Sequence, residues 1–102
     1  MIVGVMTIQI CMNGITSLKE KRSIVKSLIS RAGNKFNISV AEIDHHEDKR
    51  TAVVGISVIS NNGRFINKQF DTIVNFMKRD RRFYLGTIER EKIGRASCRE
   101  RV

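Results

Sequence analysis

The sequence predicts an α+β sandwich, in which a four-stranded antiparallel sheet carries two helices on one face in the order βαββαβ. Three observations predict it. Residues 2–12 and 51–60 alternate side chains with the period of two that marks strands, and two stretches of helical spacing each follow one of those strands. Polar or Asn-Gly clusters punctuate the joins.

Along the first strand the even-numbered set Ile2, Met6, Ile8, Ile10 and Met12 alternates with Thr7, Gln9 and Cys11, so one face is expected to be buried, and Asn13-Gly14 ends it. The first helix follows, with Leu18, Val25, Leu28, Ile29 and Ala32 at helical spacing. Ser17 and Glu20 are placed as a capping box and Gly33-Asn34 as the stop. Phe36, Ile38 and Val40 alternate with Asn37 and Ser39 as a second strand that runs into the polar turn Asp44–Arg50. In the third strand, residues 51–60, Ala52, Val54, Ile56 and Val58 face one way and Thr51, Val53, Gly55, Ser57 and Ile59 the other. Residues 64–79 carry Ile66, Phe70, Ile73 and Met77 at helical spacing with Asn61 or Asn62 as N-cap, and Phe83–Ile88 reads as the last strand. This order is the ferredoxin-like split βαβ arrangement. Right-handed crossovers put both helices on one side, and the first and third strands are expected to form a parallel central pair.

Composition narrows the class. With 102 residues, one domain with a real core is expected, and an apolar content of 41% excludes a disordered chain. The apolar opening MIVGVMTIQICM is too short to span a bilayer, and no charge precedes Lys19 as a secretory signal would require. Two cysteines do not make a disulfide scaffold, so a reduced, cytoplasmic, soluble protein is expected.

Residues 93–102, IGRASCRERV, stand apart as a polar, basic, aperiodic segment that resembles the translation of a common short-read sequencing adapter. The alternative is a genuine basic tail. The domain is therefore expected to span 1–92, with 93–102 an unstructured, non-native tail. Without Arg95, Arg99, Arg101 and Glu100 the 19 basic and 10 acidic residues become 16 and 9, a charge of +7 rather than +9, and Cys11 is left as the single thiol, a small packing residue.

SLKEKRSIVKSLISR, NKFNISVAEID and VVGISVISN resemble the YlxP-like family of small bacterial proteins, over a span from Met1 to about Lys92. The resemblance implies a ferredoxin-like fold and supplies no catalytic residues. The family's genes tend to lie near those of translation initiation and ribosome-maturation factors, which implies a cytoplasmic role around ribosomal RNA.

The positive excess sits on the helices. Residues 15–35 hold six basic side chains against Glu20, and residues 62–82 hold six against Asp71 and Asp80. At about 100° per residue, Lys19, Arg22 and Lys26 fall within roughly 60° of one another beside the apolar stripe. Arg64 and Lys68 share a face of the second helix, and Lys78, Arg79, Arg81 and Arg82 cluster at its end, where cations also favour the macrodipole. Lys21 is a conflict, because its position falls inside the apolar stripe, where its stem must snorkel or its charge must find a partner.

Sharper functions lack their residues. An RNA-recognition motif reads RNA with sheet aromatics, and Val3, Val5, Thr7, Gln9, Thr51, Val53, Ser57 and Ile59 include none. No GxxG, Walker or GxGxxG loop occurs. Asp44–Asp48 has metal-ligand chemistry but no second segment to complete a site, so it reads as a polar turn, and neither metal nor cofactor is implied. The expectation is a non-enzymatic module binding ribosomal RNA or a ribosomal subunit through Lys19, Arg22, Lys26, Arg64 and Lys68. A homodimer is expected through an open sheet face bearing Val3, Val5, Val53 and Ile59, with no membrane partner. The alternative is a dimeric protein-interaction scaffold without nucleic acid; a small-molecule regulatory domain rests on fold analogy alone.

Overall fold

A computed structural model describes residues 1–44 and 50–93. Six elements follow in chain order: β1 (Ile2–Cys11), α1 (Leu18–Lys35), β2 (Ser39–Asp44), β3 (Thr51–Ser60), α2 (Gly63–Lys78) and β4 (Tyr84–Ile93). The sheet runs β2-β3-β1-β4 with every neighbouring pair antiparallel, the ferredoxin-like α+β arrangement.

The central pair is therefore antiparallel, not parallel. Ile2 lies opposite Ser60 and Cys11 opposite Thr51. The reason is directional: a helical crossover returns the chain parallel to the strand it left, so β2 runs with β1, and the reversal between β2 and β3 then sends β3 against β1.

Period two builds the core. Met6, Ile8, Ile10, Ala52, Val54 and Ile56 are all but fully buried beneath the helices, where Val25 and Leu28 of α1 and Ile66, Phe70, Ile73 and Met77 of α2 meet them. Gly4 belongs to this inward set for want of a side chain: a Cβ there would collide with Ile66 Cγ2 and lie 3.1 Å from the Phe70 ring, so glycine lets α2 close on β1. Gly14, at φ 74°, takes the left-handed conformation that the turn after β1 requires.

Three boundaries moved. Gly33 and Asn34 lie inside α1, which ends at Phe36, where the Phe36 N–H donates to the Ala32 carbonyl and the ring packs edge-to-face on Phe76. Packing with α2 sets that end, and the glycine does not. Phe36 and Ile38 precede β2, half-buried against the core. β4 continues well past Ile88, because β1 offers it partners as far as Val3, which pairs with Ile93. Ile93, the first residue of the segment read as a tail, is thus the last strand residue; the rest of that segment and residues 45–49 of the polar turn lie outside the described residues.

The β1–β4 register shifts between Ile8 and Ile10. Gln9 fills this irregularity, with its Oε1 accepting from the Thr87 N–H at 3.4 Å and lying 2.6 Å from where a Cβ on Gly86 would stand.

Candidate nucleic-acid interface

On α2, Asn62 Oδ1 accepts from the Arg64 and Phe65 N–H groups, capping the first turn and leaving both side chains exposed. Because Ile66, Phe70, Ile73 and Met77 face the sheet, spacing of three and four puts Phe65, Lys68, Thr72, Asn75 and Arg79 on the outward strip. Asp71 stands beside this strip on the β4 side, where it accepts from Arg90 Nη2 at 2.8 Å.

On α1, Ser17 caps as expected, its Oγ accepting from the Glu20 N–H at 3.2 Å, while Glu20 reaches one residue further back than a strict capping box, its Oε1 accepting from the Thr16 N–H at 3.1 Å. Lys19, Arg22 and Lys26 are exposed. Arg22 and Lys26 line a shallow cavity of about 240 Å³ with Val25, Ile29 and Glu42 of β2, so this ridge stands over the β2 edge. Lys21 is completely buried, and its Nζ pairs with Glu42 Oε2 at 3.0 Å. The acidic partner that the stripe required thus comes from the neighbouring strand.

The five expected cations therefore fall into two groups on the helical layer, Lys19, Arg22 and Lys26 above β2 and Arg64 and Lys68 on α2. Between them stands a cluster that sequence reasoning half missed. Arg31 and Lys35 lie about 140° and 180° round α1 from Lys26 and meet the end of α2. The Arg31 guanidinium and the Lys35 ammonium each sit 5.4 Å from the centroid of the Phe76 ring. The pair is spaced four apart, which is legible, but nothing local to α1 tells which flank faces α2.

Asp80 ties this corner together. Its carboxylate accepts from Arg82 Nε and Nη2 and from the Arg82 backbone N–H, and from Arg31 Nη1 at 3.2 Å. The side-chain bonds from Arg82 outweigh the opposing effect of burial and, with Arg31 adding its charge, hold the Asp80 pKa at about 2 against an ordinary 3.8. The same bonds raise the pKa of Arg82. Asp80 is thereby committed, and among the described residues no carboxylate pairs with Lys35 or Arg79.

The opposite, open face of the sheet is less neutral than its sequence suggested. The register lines up Ile93, Val3 and Ile59 as one apolar row, then Glu91 beside Val5 and Glu89 beside Thr7. Val3, Val5 and Val53 are half-buried while Ile59 is 65% exposed, and Ile43 lies over Gly55 beside them. Val5, Ala41, Ile43 and Gly55 line a shallow groove of about 290 Å³. Cys11 packs on this face and not in the core, opposite Tyr84, which supplies an aromatic ring at the corner of the sheet that the first and third strands lacked. One edge ring is short of the two or three stacked aromatics of an RNA-recognition motif.

Residues 3–90 match a family described as "Protein of unknown function (DUF503)". The chain is also 33% identical over 61 residues to an uncharacterized protein, YlxP, of Bacillus subtilis (strain 168), an alignment covering 60% of this chain and 66% of that one.

Proposed function

The chain belongs to this DUF503 family, and from its surfaces we propose that it is a non-enzymatic, cytoplasmic module that binds structured RNA or a ribosomal subunit through its helical layer. One observation carries the reading: charge is sorted by face. Lys19, Arg22, Lys26, Arg64 and Lys68 stand exposed on the helical layer, whereas the charges that β4 turns to the open face are Glu89 and Glu91. Such a layer binds by phosphate neutralisation, which gives steep salt dependence and weak sequence preference. Exposed Phe65, between Arg64 and Lys68, adds a ring on which an unpaired base can stack.

The test is co-sedimentation of the full chain with ribosomal subunits and with structured RNA at low and high salt, beside a K19E/R22E/K26E variant and an R64E/K68E variant. Binding falls with salt and falls again in each variant; equal binding by wild type and both variants overturns the reading.

A second reading rests on the apolar row Ile93, Val3 and Ile59, which supports a homodimer through the open sheet face bearing Val3, Val5, Val53 and Ile59. Sedimentation equilibrium decides it, since a monomer mass independent of concentration removes the dimer.

A further inference from the structure

The cleft where the last turns of α1 and α2 meet was not among the sites the sequence suggested. It encloses about 170 Å³ and is lined by Lys35, Thr72, Asn75, Phe76 and Arg79. We propose that this cleft is a discrete binding site for a single phosphate group, carried either by a small phosphorylated molecule or by an RNA backbone. The inference goes beyond the ribosome-binding reading and does not depend on it.

Size comes first. A cavity of this volume lies below the several hundred cubic ångströms that enclose a drug-sized ligand, so it suits one ionic group and leaves whatever bears that group outside. The donor set matches a phosphate. The Thr72 hydroxyl already donates its hydrogen bond to the Lys68 carbonyl at 2.9 Å, so its one O–H is engaged and not turned to an anion. What remains to donate is the Lys35 ammonium, the Arg79 guanidinium and the Asn75 amide, two charges and a neutral dipole around one opening.

Preorganisation comes second. Lys35 Nζ lies 6.0 Å from the Phe36 ring centroid and 5.4 Å from that of Phe76, so the side chain is held against two rings that meet edge-to-face. Ring contacts leave its N–H donors available to an anion, and a restrained lysine loses less entropy on binding than a free one.

The field decides the sign. The last turns of α1 and α2 each carry the negative end of a helix dipole, worth about −0.5 charge. Against them stand Arg31, Lys35, Lys78, Arg79, Arg81 and Arg82, six cations with Asp80 the one acid, a balance of +5. Arg82 and Arg31 already neutralise Asp80, so that acid does not compete with a ligand for Lys35 or Arg79.

Amide NMR of the full-length chain tests the site, with inorganic phosphate in one arm and a short RNA oligonucleotide in the other. The expected result is a saturable shift of the Phe76 and Asn75 backbone amides. Saturation by phosphate alone identifies a free phosphorylated ligand, and saturation by RNA only identifies a backbone phosphate; both support the site. Affinity should drop about tenfold or more in K35Q/R79Q, whose thermal midpoint is checked against wild type, and several-fold in N75L, which alters no charge. Shifts absent with both probes, or N75L binding like wild type while K35Q/R79Q fails, mean diffuse electrostatics and overturn the proposal. Loss of subunit binding in the Lys19/Arg22/Lys26 variant bears on the proposed function alone, because the phosphate arm reads the cleft directly.

Discussion

The two faces of the sheet are made from the same strands and differ only in parity. Even residues of β1 such as Met6, Ile8 and Ile10 are fully buried under the helices, while Val3, Val5, Thr7 and Gln9 between them are half-buried on the open side. Along β4 the same alternation sorts charge by sign. Arg90 turns inward to Asp71 and the Phe70 ring, and Lys92 Nζ approaches α2 at Gly63, whereas Glu89 and Glu91 pair with Thr7 and Val5 on the open face. A cationic layer and an acid-flanked apolar face thus arise from one strand in which charge signs simply alternate. The difference teaches that net charge says little about this protein until register assigns each charge to a side.

The strongest way to break the comparison is to truncate one side chain to alanine on each face. Phe70 is 1% exposed and meets β1 where Gly4 makes room, so Phe70→Ala should cost about 3–5 kcal/mol, enough to unfold much of a marginal domain. Val5→Ala, on the open face, removes two methyl groups from a half-wet site and should cost less than about 1 kcal/mol. Urea titrations of both variants check this. Similar losses would mean that the open face is itself buried, as in a tight dimer.

Much of this division was legible in the sequence because period two is a local signal: the inward sets of β1 and β3 and both helix caps follow from spacing alone. What spacing could not supply was anything settled by a distant segment. The last residues of β4 are indifferent strand formers, and they pair because β1 extends beside them. Glu42 gave no sign that it would meet Lys21, nor did Phe76 that it would bring Arg31 and Lys35 beside Arg79. The expected cations were visible as a face of each helix, but the cleft between the helices was not, because neither helix encodes which flank its neighbour takes.

Lys21 sharpens the comparison from the other side, since it is a charge on the covered face that sorting by parity would exclude. It is fully buried, whereas the Glu42 side chain keeps 16% exposure at the β2 edge. Lys21→Met retains a packing stem and leaves Glu42 some access to water, so the loss should be about 2 kcal/mol, below that of stranding a fully buried charge. The double variant K21M/E42L should recover most of it, because a well-packed apolar pair of similar size removes both desolvation costs. A thermal-melt cycle over the four proteins measures the coupling, and additive losses would show that the pair contributes nothing beyond its parts.

Asp80 gives a smaller effect than Phe70 or Lys21 and the one with a characteristic pH signature, because it is an acid in the cationic layer. The folded protein holds its pKa at about 2, against 3.8 ordinarily, so as pH falls the unfolded chain takes up the proton first. The stability it contributes is complete above about pH 4 and is lost between there and pH 2. Arg31 and Arg82 are 52% and 40% exposed, so solvent screens the pair and the contribution should be roughly 1–2 kcal/mol. Urea midpoints of wild type and Asp80→Asn should therefore differ at pH 6 and converge toward pH 2, where protonation does to the wild type what the substitution does to the variant. A gap of constant size across that range would assign the loss to packing at the helix junction, and the Asp80 charge would then have no part in closing the corner.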